Sequence, residues 1–165
     1  MDLNNIVLPG LSFNQLFNGC VIHSTDKVSI KQNSNSLIQF LGQNDKKVTL
    51  LVEYSDFEYI NEKDLRFLTG ILLACKLKIS DVAIVNLYKT PAINLQTIIS
   101  ELSPNVIMLF NILPSRLEIF KEISLLEMNN IEDIIYLKAP LLSDLETNSI
   151  LKKQLWSQLK RIFSI

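Results

Sequence analysis

Four short apolar runs, each followed by a stretch with helical spacing, limit what this chain can fold into. They are Val48-Thr49-Leu50-Leu51-Val52, Val82-Ala83-Ile84-Val85, Val106-Ile107-Met108-Leu109-Phe110 and Ile134-Ile135-Tyr136-Leu137. Each is aliphatic or β-branched almost throughout, which suits a strand covered on both faces rather than one with a wet side. After the first, Asn61 offers a helix cap, Asp64 sits at N3, and Leu65, Leu68, Ile71, Leu72 and Cys75 follow at spacings of three and four. After the second, Thr90-Pro91 starts a helix carrying Leu95, Ile98, Ile99 and Leu102, which Ser103-Pro104 ends. Pro114-Ser115 opens a third helix through Leu117, Phe120 and Ile123. A last helix from about 149 to 163 buries Leu151, Leu155, Trp156, Leu159, Ile162 and Phe163. Right-handed crossovers then predict an α/β fold: a three-layer α/β/α sandwich around a four-stranded, mainly parallel sheet over 48–54, 82–87, 106–110 and 134–137.

The 165 residues fit a single domain. Its regular α/β core spans 47–165, and the first 46 residues read as a variable N-terminal segment. There Ser12 caps a short helical turn to Phe17, while Val28 to Ile30 and Leu37 to Leu41 fit either a small hairpin or one more helix. Apolar residues make up 48% of the chain, which excludes disorder. Sixteen basic against seventeen acidic residues give a net charge of -1, so no global basic surface attracts nucleic acid. Asp2 and Asn4-Asn5 stand where a signal peptide would be basic, and no apolar run approaches a membrane span. Cys20 and Cys75 lie far apart without metal spacing, as expected of a reduced, cytoplasmic protein.

Open α/β sheets bind ligands outside the carboxyl ends of their strands. Here those ends read Glu53-Tyr54-Ser55-Asp56, Asn86-Leu87-Tyr88-Lys89, Asn111-Ile112-Leu113-Pro114 and Lys138-Ala139-Pro140, with no His, Cys or glycine-rich phosphate turn. Glu53 is a possible water activator, though carboxylates at strand ends usually cap loops or face solvent. Asn86 is a possible base reader, though an Asn leaving a strand more often bonds local backbone. Lys138 completes the candidate crevice. His23, the single histidine, has no further ligand pattern around it, so no metal is expected. Lys153, Lys160 and Arg161 lie opposite the Leu151-Leu155-Leu159 stripe, as a solvated face or a contact for an acidic partner. Tyr54, Phe57 and Tyr59 with Asp56 and Glu58 make a first loop better suited to protein than to phosphate.

The run Pro140-Leu141-Leu142-Ser143-Asp144-Leu145-Glu146-Thr147-Asn148, then Leu155-Trp156-Ser157-Gln158, resembles the C-terminal end of the psi subunit of bacterial DNA polymerase III. That family shows a similar Pro-x-Leu-Thr-Asp-Leu-x-x-Asn run followed by Leu-Trp-x-Gln. The resemblance implies the uracil-DNA glycosylase fold. Asp81-Val82-Ala83-Ile84-Val85-Asn86 is similar to the glycosylases' second strand, and Leu102-Ser103-Pro104-Asn105-Val106-Ile107 to their turn into the third. The chain departs from the glycosylases where their chemistry lies. Glu53 falls on the Glu of their Gly-Glu-Ala-Pro-Gly-like loop, but Val52 and Tyr54-Ser55-Asp56 replace its small residues. Ala139 stands where their His stabilises the departing base, and Ala cannot donate.

The resemblance therefore implies a non-catalytic connector in replication, needing no cofactor. It would join clamp-loader components to a partner of single-strand-binding protein, with DNA contact weak or indirect. Ile6, Leu8, Leu11 and Phe13 would be the docking residues, unless they pack on the domain's own core. The rivals are a divergent DNA-base glycosylase using Glu53 and Asn86, or a nucleobase- or nucleotide-binding protein using the same crevice.

Overall fold

The computed structural model describes Val7–Leu8 and Leu11–Ser12, then residues 38–119 and 121–165. Strands β1 (Val7–Leu8) and β2 (Leu11–Ser12) pair antiparallel as a small separate ribbon. Ser12 thus belongs to a strand pair, and the helical turn expected to follow it lies outside the described residues. So do Ile6, Phe13, Cys20 and His23, as well as Val28 to Ile30.

The main sheet has six strands rather than four, in the order β3-β5-β4-β6-β8-β7. In chain order these are β3 (Leu41–Gly42), β4 (Val48–Val52), β5 (Val82–Asn86), β6 (Val106–Phe110), β7 (Met128–Ile131) and β8 (Ile134–Ala139). The ladders β4·β5, β4·β6 and β6·β8 are parallel, with Leu50 opposite both Ile84 and Met108. Strands β3 and β7 add antiparallel edges that the four-strand expectation lacked. Both were hidden for physical reasons. β3 is two residues long, and its Gly42 has φ +112°, where an added Cβ would stand 2.1 Å from the Val82 carbonyl oxygen. β7 is Met-Asn-Asn-Ile, and its hairpin turn places Glu132 (φ 51°) and Asp133 (φ 63°) in the left-handed region, without the Asn-Gly that normally marks such turns. The sheet also recruits Leu41 and Gly42 from ahead of Val48.

Helices cover both faces. Helix α1 (Glu62–Ala74), α3 (Leu142–Thr147) and α4 (Ser149–Phe163) pack Phe67, Leu68, Leu72, Leu142, Leu145, Leu155 and Leu159 against Val48, Leu50, Ile84, Met108 and Leu137. On the other face α2 (Leu95–Leu102) brings Ile98 and Leu102 to Leu51, Val85, Ile107 and Leu109. Asn61 caps α1 by accepting from the Asp64 amide at 2.8 Å. Asn148 caps α4 by accepting from the Ile150 and Leu151 amides. Trp156 is half-buried against the α1/α4 side of the core.

Two helices differ from expectation. The second starts at Leu95, capped by Asn94, and Thr90-Pro91 lies in turns before it. The third is only a 3-10 turn, Pro114–Leu117, ended by Glu118 in the left-handed region. From there Ile119 and Ile123 are buried as a loop. Among the described residues no helix is long and apolar enough to cross a membrane.

Candidate functional site

The strand order brings Glu53, Asn86, Asn111 and Ala139 to one edge of the sheet, at the carboxyl ends of β4, β5, β6 and β8. Side chains on a strand alternate between faces. Val52 and Ile84 point to the α1 side, so Asn86 points there too, whereas Glu53 and Lys138 take the α2 side with Leu51 and Tyr136. Glu53 and Asn86 therefore share an edge but not a face.

Asn86 is 2% exposed, and its amide is committed to the loop that follows β4. Its Oδ1 accepts from the Tyr54 amide at 3.0 Å and from the Tyr88 amide at 3.1 Å. Its Nδ2 donates to the carbonyls of Tyr54 at 2.8 Å, Phe57 at 2.9 Å and Glu58 at 3.3 Å. Just beyond the end of the β4·β5 ladder, this side-chain amide gives and takes a bond at Tyr54. Lys89 Nζ adds a bond to the Ser55 carbonyl at 2.7 Å.

The far end of the same loop is fastened at α1. The Tyr54 hydroxyl donates to Asp64 Oδ2, as does Asn61 Nδ2 at 2.6 Å. Asp64 is 8% exposed and sits in the first turn, where the helix dipole favours its charge. Burial, then the hydrogen bond to Asp64 and that carboxylate's charge, push the Tyr54 phenol well above its ordinary range. Tyr54 is thus held as a neutral donor.

Glu53 is exposed and stands 3.9 Å from Arg116 Nε, in a pair open to solvent. Arg116 comes from the 3-10 turn after β6 and also reaches the Leu87 carbonyl at 3.4 Å. Sequence reasoning missed this cation, because only the sheet order brings the turn beside β4. Lys138 is half-buried, with its carbonyl accepting from the Leu126 amide at 2.8 Å. Ala139 is wholly buried, and its carbonyl accepts from the Asn111 amide at 2.8 Å.

The carboxyl edge is instead rich in exposed apolar side chains. Phe57, Tyr88, Leu113 and Leu141 follow β4, β5, β6 and β8 respectively, with 41% to 65% of their surface exposed. Exposed apolar residues gathered at one edge mark a contact surface more often than those scattered singly. The Phe57 ring meets Tyr54 edge-on, with centroids 6.2 Å apart.

Elsewhere, Lys153, Lys160 and Arg161 are all exposed on α4, opposite buried Leu155 and Leu159. Lys152 turns the other way, donating to the Glu146 carbonyl at 3.0 Å and lying 5.6 Å from the Phe67 ring. Burial pushes the Cys75 thiol up to about 12, which leaves it unreactive. Among the described residues no group of three or more His, Cys, Asp or Glu is placed to hold a metal ion. Set against protein-family models and against curated proteins, the chain matches none of them.

Proposed function

We propose that this chain is a non-catalytic protein-interaction subunit of the replication machinery, of glycosylase-like fold and similar to psi, joining clamp-loader components to a partner of single-strand-binding protein. The observation that carries the non-catalytic part is the commitment of Asn86. A base reader must leave its amide open to a ligand, and this one spends both ends on the backbone of residues 54, 57, 58 and 88. The position matching the glycosylases' His is buried Ala139, which has no group to stabilise a leaving anion. The apolar edge at Phe57, Tyr88, Leu113 and Leu141 is the kind of surface that a protein partner covers. The replication part rests on the resemblance of 140–148 and 155–158 to psi.

Three measurements test the reading. The purified protein should release no uracil from single- or double-stranded DNA. Excision that disappears in Glu53→Gln would establish the divergent-enzyme reading instead. A tagged chain should retain clamp-loader or single-strand-binding components, and Phe57→Asp with Leu113→Asp should abolish that retention without lowering the melting temperature. DNA affinity should be weak at physiological salt. Tight binding there, lost on charge reversal of Lys153, Lys160 and Arg161, would replace the connector by a DNA-binding protein.

A further inference from the structure

β7 forms one border of the main sheet, and among the described residues no strand pairs with its outward side. Its four residues, Met128-Asn129-Asn130-Ile131, contain no charge and no proline, the usual devices that blunt an edge. The direction of its backbone groups follows from its neighbour. Asn130 faces Ile135 across the ladder, and the Ile135 amide donates away from β7, to the Asn105 carbonyl at 3.0 Å. The two residues of such a pair do not bond each other, so the N–H and C=O of Asn130 point outward. The tight turn at Glu132-Asp133 gives the same phase, because it closes on the Ile131–Ile134 pair. Asn130 is exposed, so these groups are reachable.

What could pair there is restricted by charge. Glu127 lies just before β7, and Glu132 and Asp133 lie just after it, all three exposed. A second copy pairing antiparallel with Asn130 opposite Asn130 would set Glu127 against Asp133 at both ends. A parallel copy would set each carboxylate beside its own equivalent. Like charges across a ladder destabilise it, so both forms of self-pairing are opposed. A strand with cations at its ends meets the opposite situation.

We propose that β7 is a strand-addition site for an extended segment of a partner protein, with an uncharged core flanked by Lys or Arg at both ends. Backbone bonds from Asn130 hold the segment, and Glu127 with Glu132 and Asp133 select it. The spacing of the acidic ends sets the cations about five residues apart, at the ~3.3 Å rise of a strand. The proposal concerns a different border of the sheet from the carboxyl edge and does not depend on the replication reading.

The test uses the full chain and capped peptides of about seven residues, alternating Thr and Val, ended by Lys in one and by Glu in the other. Titration at low salt should show the Lys-ended peptide binding at least roughly tenfold more tightly. It should also slow hydrogen exchange at the Asn130 amide. The triple variant E127K/E132K/D133K should reverse the preference, and Asn130→Pro, which removes the outward donor, should abolish binding. If Asn130→Pro unfolds the chain, the reversal of preference decides alone. Equal affinity for the two peptides, or binding that leaves Asn130 exchange unchanged, overturns the proposal. So does a dimer whose formation slows exchange at the Asn130 amide.

Discussion

The loops that follow β4 and β6 leave adjacent parallel strands at the same edge, and they are held by different kinds of force. The loop after β6 is anchored by apolar burial, with Ile112, Leu117, Ile119 and Ile123 all sunk in the α2 side of the core. The loop after β4 buries little and exposes Ser55, Asp56, Phe57 and Glu58. It is fastened by polar groups instead, by Asn86 at one end and by Tyr54, Asn61 and Asp64 at the other. An apolar anchor loses free energy gradually as it loosens, with the volume left empty. A polar clamp fails all at once, because each lost bond strands a partner.

Leu117→Ala should have the largest effect, since the side chain is wholly buried. A loss of about 3 kcal/mol is expected from the cavity, measured by denaturant unfolding. Hydrogen exchange should quicken at the Arg116, Glu118 and Ile119 amides and stay unchanged at the Tyr54 and Tyr88 amides. Asn86→Ala should cost about 2 kcal/mol and produce the reverse pattern, with exchange at the Tyr54 and Tyr88 amides rising first. If both variants loosen both loops equally, the two are one cooperative unit and the contrast fails.

Tyr54→Phe should cost about 1 kcal/mol at neutral pH by removing the bond to Asp64. It should also change the alkaline limb of stability. An acid whose folded pKa is raised stays protonated in the native state while the unfolded chain ionises. Its stabilisation is whole below the unfolded value and is lost as pH climbs towards the folded one. For Cys75 the window runs from 9.0 to about 12, and for Tyr54 it opens at 10.0. Cys75→Ala should therefore flatten the fall from pH 9.0 upward, and Tyr54→Phe only the part above 10.0, as read from melting temperature against pH. The smallest effect belongs to the exposed Glu53–Arg116 pair. Glu53→Gln should change stability by no more than about 0.5 kcal/mol, and 1 M salt should erase the difference.

Strands β4, β5 and β6 were legible because each is buried on both faces and therefore apolar nearly end to end. Helix α1 was legible because Asn61 stands before a regular stripe, and α4 because Leu151, Leu155, Leu159 and Ile162 form one. The antiparallel borders were not, since an edge strand needs no such pattern and the Glu132-Asp133 turn lacks the glycine that usually marks a two-residue hairpin turn. Pro114-Ser115 looked like a helix start, but Leu117 ends a short 3-10 turn and Ile119 and Ile123 are buried along a loop. At the carboxyl edge the residue types of Glu53 and Asn86 could be read, but not their opposite faces or their partners. Arg116 and the Asn86 bonds depend on sheet order, which no local window contains.

That order also bears on how the chain is made. β4 sits between β5 and β6 in the finished sheet, and all its residues are buried. It is nevertheless the first of the four parallel strands to leave the ribosome. Its partners come only after intervening helices, so the cost of closing those loops falls before the pairing that rewards it. During synthesis the segment least tolerant of water therefore waits longest with both borders unpaired, and a nascent chain stalled before Val82 would be the form most prone to aggregate.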